Sequence, residues 1–359
     1  MAIYEKLEAK PAPLGTRGLT YWVRENLFSS LTSSILTILS FSIVYLAFIP
    51  LLDWMVLDAT WSGTKEEITG SGARWIFIYE KFNQFIYGFY PEELYWRPNL
   101  ILAIFVAYII IFKKINNIKI KAFILISFPI ISFILLSGGF GLEVIPTSKW
   151  GGLLLTIVVA SVGIVASFPI GILFALGRQS NMPIIKTLSI IYIEFIRGVP
   201  LITLLFMSSV ILPLFFPEGM DFDKLLRALI GITLFQAAYI AEVIRGGLQA
   251  IPKGQYEAAD AMGLTYWQAM GLIILPQALK ISIPNIVGSF IALFKDTTLI
   301  LIIGLFDVLA MVTLTTTDAN WLGFETEGYV FVTMVYWIIC FSMSRYAKSI
   351  EDKFNTDHK

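Results

Sequence analysis

The chain has 359 residues, of which 57% are hydrophobic and only 14% are charged, and its mean hydropathy is +0.76. This composition excludes a soluble domain, which needs more charged surface, and predicts an integral membrane protein. The formal net charge is zero, so nothing in the balance attracts nucleic acid. Cys340 is the only cysteine and His358 the only histidine, which excludes a disulfide framework and a Cys/His metal site. We therefore expect no nucleic-acid partner, and no metal or cofactor in this chain.

Eight predominantly apolar runs are candidates for membrane-spanning helices, which need about 17 to 25 residues. The first, at 31–52, follows a polar segment that is too long and too mixed to be a signal peptide. A mixed, aromatic region at 53–97 comes next. Two apolar runs, at 99–112 and 122–142, then flank the lysine-rich turn KKINNIKIK. The other five predicted spans are 150–176, 198–216, 225–244, 281–303 and 328–345.

The basic residues predict an orientation for these spans. Lys and Arg occur in the lysine-rich turn, between spans four and five, between spans six and seven, and after the last span. Residues 304–327, by contrast, contain four acids and no base. Because loops rich in Lys and Arg remain in the cytoplasm, both termini are predicted to be cytoplasmic and 53–97 extracytoplasmic.

The segment GQYEAADAMGLTYWQAMGLIILPQAL, at 254–279, lies between the sixth and seventh predicted spans and so on the cytoplasmic side. Pro252 suits the first position of a helix, and Gly263 can adopt the left-handed conformation that ends it. Thr265 and Gln268 have the spacing of a capping box, and Pro276 marks the next break. We predict two short helices joined at the glycine, whose front would fit a groove on another protein and carries Glu257, Ala258, Ala259 and Asp260.

An alternative is that this helix pair lies on the bilayer surface. Surface helices usually carry Lys and Arg on their polar face, and none occurs between Gly254 and Leu279. The composition therefore favours a protein partner. The chain contains no GxxxxGK[ST] phosphate loop, so we expect another subunit to hydrolyse any nucleotide.

Charged residues at membrane depth are hypotheses for a functional site. Glu242 and Arg245 end the sixth predicted span, and Lys295 and Asp296 lie inside the seventh. A pathway for a solute that carries both an ammonium and a carboxylate would need both signs of charge on the protein. The same groups could instead form ion pairs that hold helices together. Three further residues could contribute to a pathway by hydrogen bonding or by breaking a helix, and each could equally serve packing: Thr297, Thr298 and Pro200.

Several motifs resemble one family of membrane proteins. EAADAMG followed by ILPQAL is similar to the EAA loop of ABC-importer permeases. The motifs GGLLLTI, FIRGVPLITLLF, AAYIAEVIRGGLQAIPKGQYEAA and FKDTTL resemble the polar amino-acid branch of that family, although Thr298 stands where the family often has serine. MSRYAKSIE and the additional N-terminal spans are similar to the membrane subunit of the general L-amino-acid importers.

This resemblance implies an all-α, polytopic helical bundle with the type I ABC-importer transmembrane fold. It divides the chain into four parts. Residues 1–30 would be a cytoplasmic segment, and 31–148 a three-helix extension that contains an extracytoplasmic loop at 53–97. Residues 149–346 would be a five-helix permease core that contains a cytoplasmic coupling loop at 245–280, and 347–359 a cytoplasmic tail.

The resemblance also implies a function and partners. The chain would be a non-enzymatic permease subunit in a bacterial inner membrane, in contact with lipid, and would import L-amino acids. Its partners would be an ABC ATPase dimer that holds ATP and Mg²⁺, a second homologous permease forming a heterodimer, and an extracytoplasmic amino-acid-binding protein. The ATPase-coupling residues implied are Gln255, Tyr256, Glu257, Ala258, Ala259, Gly263, Leu275 and Pro276. An ion-coupled secondary amino-acid carrier remains the alternative, because such carriers also contain membrane-embedded charges and broken helices.

Overall fold

The computed structural model describes residues 18–62, 71–115, 117–217 and 222–355, and in these ranges the regular structure is helical throughout. The chain divides into two compact units, Met1–Ile76 and Phe77–Lys359.

Within its described residues, the first unit contains α1 (Leu19–Leu27) and α2 (Leu31–Leu52), which is followed by a π turn, Asp53–Leu57. The side chain of Ser30 caps α2 by accepting a hydrogen bond from the backbone N–H of Ser33. None of the residues of α2 is buried, and the helix is apolar and long enough to cross a bilayer. The first predicted span is therefore confirmed as a helix that suits a lipid environment.

Helix α3 (Ile76–Tyr87) starts at the last residue of the first unit, and its other residues belong to the second. The second unit continues with α4 (Trp96–Lys114) and α5 (Ile118–Ser137). The sequence did not predict α3. Helices α4 and α5 confirm the second and third predicted spans, with different ends. The third span ends at Ser137 and not at 142, because Gly138 adopts a positive φ of 84° that no helix continues through.

The core of the second unit is built on α6 (Gly152–Gln179) and α9 (Lys224–Gln249), the fourth and sixth predicted spans. The two helices pack closely along their lengths. A Cβ atom on Gly171 of α6 would lie 2.6 Å from Cγ2 of Ile240 on α9, so only glycine permits this distance. The two helices carry fully buried apolar side chains, among them Leu155 and Val159 on α6 and Ile232, Ile240 and Ile244 on α9.

The fifth predicted span, 198–216, is wrong as a single straight helix. The chain forms α7 (Pro183–Gly198) and α8 (Leu201–Phe206), and then a π turn and a 3₁₀ turn that end at Phe215. The two arms are bent by 105°. Pro200 has no N–H to donate to a continuing helix, and it forces the residue before it into an extended conformation, so the axis breaks there.

The segment after α9 forms α10 (Lys253–Ala261), α11 (Tyr266–Ala269) and α12 (Leu275–Asp296). The sequence predicted a short second helix after Gly263 and a break at Pro276. Both predictions are wrong. Helical structure continues from Tyr266 to Ile303. A π turn, Met270–Ile274, directly precedes the proline, and this wider turn accommodates the missing N–H without ending the helix.

The remaining helices are α13 (Val308–Thr316) and α14 (Glu325–Asn355). The last helix confirms the eighth predicted span but continues ten residues beyond its predicted end at 345. In the described ranges, seven helical segments are long and apolar enough to cross a membrane, or eight if the bent pair α7–α8 counts as one span. The predicted number of spans is therefore reached only with a broken fifth helix.

Candidate coupling segment and charge cluster

The coupling segment, defined here as residues 253–276, begins with α10, which starts at Lys253. Pro252 was predicted to be the first residue of this helix, but it lies one position before it. Gly263 has a φ of +73°, and its N–H donates to the carbonyl of Asp260 over 2.9 Å. The backbone therefore takes the left-handed conformation that was predicted from the glycine. A Cβ atom there would meet no other atom within 4 Å, so the requirement for glycine comes from the backbone conformation alone.

The second half of the segment starts at the predicted capping box. The side-chain oxygen of Gln268 accepts a hydrogen bond of 2.9 Å from the backbone N–H of Thr265, and the Thr265 side chain caps the helix in return. Two of the otherwise unpaired donors at the start of α11 are satisfied in this way. The turn between α10 and α11 is therefore fixed on both sides of Gly263.

The inner face of the segment attaches it to the core. Ala259 is fully buried, and Tyr256 packs against buried side chains and directs its hydroxyl to the carbonyl of Leu248, 3.4 Å away. Gln277 Nε2 donates to Gln255 Oε1 over 3.0 Å, which links α12 to α10. Ala259 was predicted to lie on the outward-facing front of the pair. It faces inward because it lies on the same side of α10 as Tyr256, which packs against the core.

The outer face carries exposed side chains of two kinds. Glu257 and Ala258 are exposed on α10. Beyond them lie large apolar side chains, with Met262 73% exposed, Trp267 69% and Leu272 71%. Leu275 is half-buried and Pro276 is exposed. A rigidly attached surface with exposed apolar groups and two exposed acids, Glu257 and Asp260, is suited to contact with another protein.

A second group of residues, the charge cluster, joins α6, α7 and α9. Glu242 and Arg245 form a bidentate ion pair, with nitrogen–oxygen distances of 2.9 and 2.6 Å. Arg178 lies 2.8 Å from Glu194 and 3.4 Å from Glu242, and Arg197 lies 3.8 Å from Glu242. Glu242 is thus the shared anion for three guanidinium groups from three helices, and Arg245 is the one that donates hydrogen bonds to it. The predicted internal pair of Glu242 with Arg245 is confirmed.

Sequence reasoning did not include Arg178, Glu194 and Arg197 in this site, and used two of them only to predict orientation. One local signal was available. Glu194 and Arg197 have the same three-residue spacing as Glu242 and Arg245, and each pair ends an apolar helix. The cluster contains three cations and two anions, so its formal charge is +1.

The other predicted pathway residues do not join this cluster. Ser282 of α12 lies beside Val243 of α9, with a hydrogen bond of 3.3 Å, so Glu242 is level with the middle of α12. Asp296 lies 14 residues further along α12 than Ser282, which is roughly 20 Å at 1.5 Å per residue. Neither Lys295 nor Asp296 forms an ion pair with another described residue.

The two threonines bond to their own helix. Thr297 is fully buried, and its hydroxyl donates to the carbonyl of Phe294 over 2.8 Å. The hydroxyl of Thr298 donates to the carbonyl of Lys295 over 3.0 Å. Both side chains therefore have a structural partner in this conformation. Pro200 is exposed at the bend between α7 and α8.

Asp307 is a buried acid that the sequence analysis did not single out. It caps α13 by accepting a hydrogen bond from the N–H of Ala310 over 2.9 Å, and it accepts another from the hydroxyl of Tyr336 over 3.1 Å. Burial raises the pKa of the Asp307 carboxyl, and the two hydrogen bonds oppose that effect. Asp307 thereby ties α13 to α14.

This helical bundle matches a known protein family. A family described as "Binding-protein-dependent transport system inner membrane component" matches residues 167–356, which include the coupling segment and most of the charge cluster's helices. The chain belongs to this family. The predicted resemblance and the predicted all-α membrane fold are confirmed, and the family places the protein in the inner membrane.

Relatives in this family are similar over nearly their whole length. The chain is 54% identical to the inner membrane amino-acid ABC transporter permease protein YhdY of Escherichia coli, over 97% of this chain and 96% of that protein. It is 40% identical to the glutamate/glutamine/aspartate/asparagine transport system permease protein BztC of Rhodobacter capsulatus, over 99% and 98% of the two chains.

A solved structure also resembles this one. It is described as an amino acid ABC transporter crystallised with histidines, and it is 29% identical with a TM-score of 0.50. The match covers 56% of this chain and 92% of the other. The additional length of this chain is therefore not represented in that structure.

Proposed function

We propose that the chain is the permease subunit of an ATP-driven importer of L-amino acids, and that it couples to an ATPase through the coupling segment. The observation that carries this proposal is the form of that segment. Its turn is fixed by Gly263 and by the capping box, its inner side is buried against α9 and α12, and its outer side exposes apolar groups and two acids. A force applied to such a surface is transmitted to the core helices, because the attachment is buried and packed.

The same proposal supplies the partners. The segment contacts one subunit of an ABC ATPase dimer, which holds ATP and Mg²⁺. A second homologous permease completes the membrane pathway, and an extracytoplasmic binding protein delivers the amino acid. The relatives described above support this class of substrate, since one is named for glutamate, glutamine, aspartate and asparagine transport.

The proposed pathway uses groups of both charges and the bend in the fifth span. An amino acid carries an ammonium and a carboxylate, and Glu242, Arg245, Lys295 and Asp296 place both signs on α9 and α12. Thr297 and Thr298 lie next to the second pair. The 105° bend at Pro200 directs α8 away from the axis of α7, and α8 packs against α9.

The bend gives a testable prediction. Replacing Pro200 with alanine restores a backbone donor and favours a continuous helix. We expect amino-acid uptake to fall while the amount of the subunit in the membrane stays normal. Uptake of radiolabelled amino acid and the membrane abundance of the tagged chain measure the two effects, with Pro183→Ala, at the start of α7, as the control. Equal uptake in both variants would show that the bend has no role in the pathway.

The orientation gives a second prediction. In a Cys340→Ala background, a cysteine at Asn117 or Gln255 should react with a membrane-impermeant maleimide only after the cells are opened. A cysteine at Ser148, which is exposed at the other end of α5 and α6, should react in intact spheroplasts. Reaction of position 255 from outside would remove the coupling segment from the side where an ATPase works.

Purification tests the proposal against the alternative of a secondary carrier. The tagged chain is isolated in mild detergent from cells that express it with its native neighbours. We expect an ATP-hydrolysing subunit to co-purify, with hydrolysis stimulated by the amino-acid-loaded binding protein. A secondary carrier uses an ion gradient and needs no such subunit. A preparation with full uptake activity and no associated ATP hydrolysis would overturn the proposal.

A further inference from the structure

The end of α12 is held by a group of polar and aromatic side chains. Phe294 and Thr297 are buried, and both contact Tyr336 of α14. The ring centroids of Phe294 and Tyr336 are 5.2 Å apart, and the hydroxyl oxygens of Thr297 and Tyr336 are 3.4 Å apart. The Tyr336 hydroxyl donates a hydrogen bond to Oδ2 of Asp307, which is fully buried. One tyrosine therefore contacts α12 at two positions and connects it to the start of α13.

These two contacts enclose a pair of charged residues. Lys295 and Asp296 are the two residues between Phe294 and Thr297. Residues three apart lie on the same side of a helix, and the two residues between them point away from that side. Lys295 is accordingly exposed and Asp296 half-buried, although the residues before and after them are buried. The contact of α12 with Tyr336 therefore determines the direction in which the two charges face.

The helix changes its form at the same point. Helix α12 ends at Asp296, and a 3₁₀ turn continues from Thr297 to Ile303. A 3₁₀ stretch within a long helical segment has poorer hydrogen-bond geometry and often marks a hinge. The rotation of Lys295 and Asp296 about the helix axis is therefore weakly fixed by the backbone alone. Tyr336 supplies a contact from outside to Thr297, the first residue of the 3₁₀ turn.

Asp307 in turn fixes the position of the tyrosine. Its Oδ1 accepts a hydrogen bond from the N–H of Ala310 over 2.9 Å, and its Oδ2 accepts one from Tyr336 over 3.1 Å. The next residue, Val308, donates its N–H to the hydroxyl oxygen of Thr156 on α6 over 3.2 Å. A neutral serine or asparagine can also cap a helix, without placing a carboxyl group in the interior. Capping alone does not require an acid here, whereas holding the Tyr336 hydroxyl as well requires the second oxygen.

We infer that Tyr336 and Asp307 are positioning residues for transport, which set the orientation of Lys295 and Asp296 toward the amino acid that passes them. The inference rests on the proposed function, in which this charge pair belongs to the pathway. Tyr336 and Asp307 act without contact to the substrate, as residues that support a recognition group commonly do. The coupling segment ends at Pro276, roughly 27 Å from Phe294 along α12 at 1.5 Å per residue. Docking of the ATPase is therefore independent of Tyr336.

The ratio of amino acid transported to ATP hydrolysed tests this role. It is measured in proteoliposomes that contain the whole complex, with the loaded binding protein outside. Tyr336→Phe keeps the ring beside Phe294 and removes only the hydroxyl. We expect normal assembly and normal stimulated ATP hydrolysis, and a ratio that falls about fivefold because the charges are misplaced. Tyr329→Phe, at an exposed position of the same helix, is the matched control and should keep the wild-type ratio.

An unchanged ratio in Tyr336→Phe overturns the inference. It leaves the proposed function standing, since uptake would still depend on ATP. Uptake by the wild-type complex without ATP would contradict the proposed function, and the inference with it.

Asp307→Asn distinguishes positioning from a role in folding alone. Asparagine has one acceptor oxygen, which can cap α13 through the N–H of Ala310, and the second acceptor for Tyr336 is lost. We expect the ratio of transport to hydrolysis to fall as in Tyr336→Phe, with a normal amount of assembled complex. Parallel loss of assembly, ATP hydrolysis and uptake in both variants, with an unchanged ratio in what remains, would show that these contacts serve folding only and would overturn the inference.

Discussion

Replacing Gly263 with valine is expected to lower ATP-driven uptake about tenfold and to weaken recovery of the ATPase with the chain, a factor that corresponds to about 1.4 kcal/mol. Gly263 has a φ of +73°, and a side chain in this left-handed conformation costs about 1 to 2 kcal/mol, more for a β-branched residue. The strain is relieved only if the turn between α10 and α11 changes, which displaces the exposed face. Co-purification of the ATPase and uptake into vesicles measure both effects.

Gly263→Asn is the matched control, because asparagine tolerates the left-handed conformation. It should retain most of the uptake and of the ATPase. A Cβ atom at this position meets nothing within 4 Å, so a clash inside the subunit cannot explain a loss of uptake in both variants. Wild-type assembly and uptake in Gly263→Val, together with the same result in Glu257→Lys, would contradict a role of the segment in docking.

Removing the carboxylate of Glu242 is expected to destabilise the subunit more than any other single change in the charge cluster. Glu242→Gln leaves the guanidinium groups of Arg178, Arg197 and Arg245 without their shared anion. Loss of one partner from a buried ion pair costs about 3 to 5 kcal/mol, and the partial exposure of these side chains reduces that figure. We expect a fall in melting temperature of about 5 °C or more in detergent.

Glu194→Gln is the control for this prediction. Glu194 is 55% exposed and, among the described residues, is ion-paired with Arg178 only, so its loss should change the melting temperature little. A Glu242→Gln variant that is as stable as the wild type and assembles fully, but hydrolyses ATP without uptake, would show that Glu242 contacts the substrate and does not hold the helices together. Normal stability together with normal uptake would remove it from both roles.

Local features of the coupling segment could be predicted from the sequence. Gly263 and the Thr265–Gln268 capping box depend on residues within one turn of each other, and the structure has both. The inward orientation of Ala259 could not be predicted, because it depends on packing against α9 and α12, which are distant in the sequence. The helix through Pro276 was missed because the π turn before it compensates for the proline, and a residue pattern does not reveal that turn.

The spans show the same division between local and distant causes. Long apolar runs such as 150–176 and 225–244 were predicted near their observed positions, since burial in lipid requires a predominantly apolar stretch. Helix α7 was not predicted, because Glu194 and Arg197 interrupt the apolar run. Their charges are accommodated by Arg178 and Glu242 from other helices, a pairing that only the tertiary structure brings together. The domain boundary at 148–149 and the roles of the pathway residues remain predictions.

The central claim is that ATP hydrolysis, transmitted through the coupling segment, drives amino-acid movement through this chain. The most direct test is uptake of radiolabelled amino acids into proteoliposomes that contain the purified complex, with the loaded binding protein outside and ATP inside. We predict that uptake requires internal ATP and the binding protein, continues when sodium and proton gradients are abolished by ionophores, and is lost in parallel with ATPase recovery in Gly263→Val. Uptake that follows an imposed sodium or proton gradient without ATP would contradict the account.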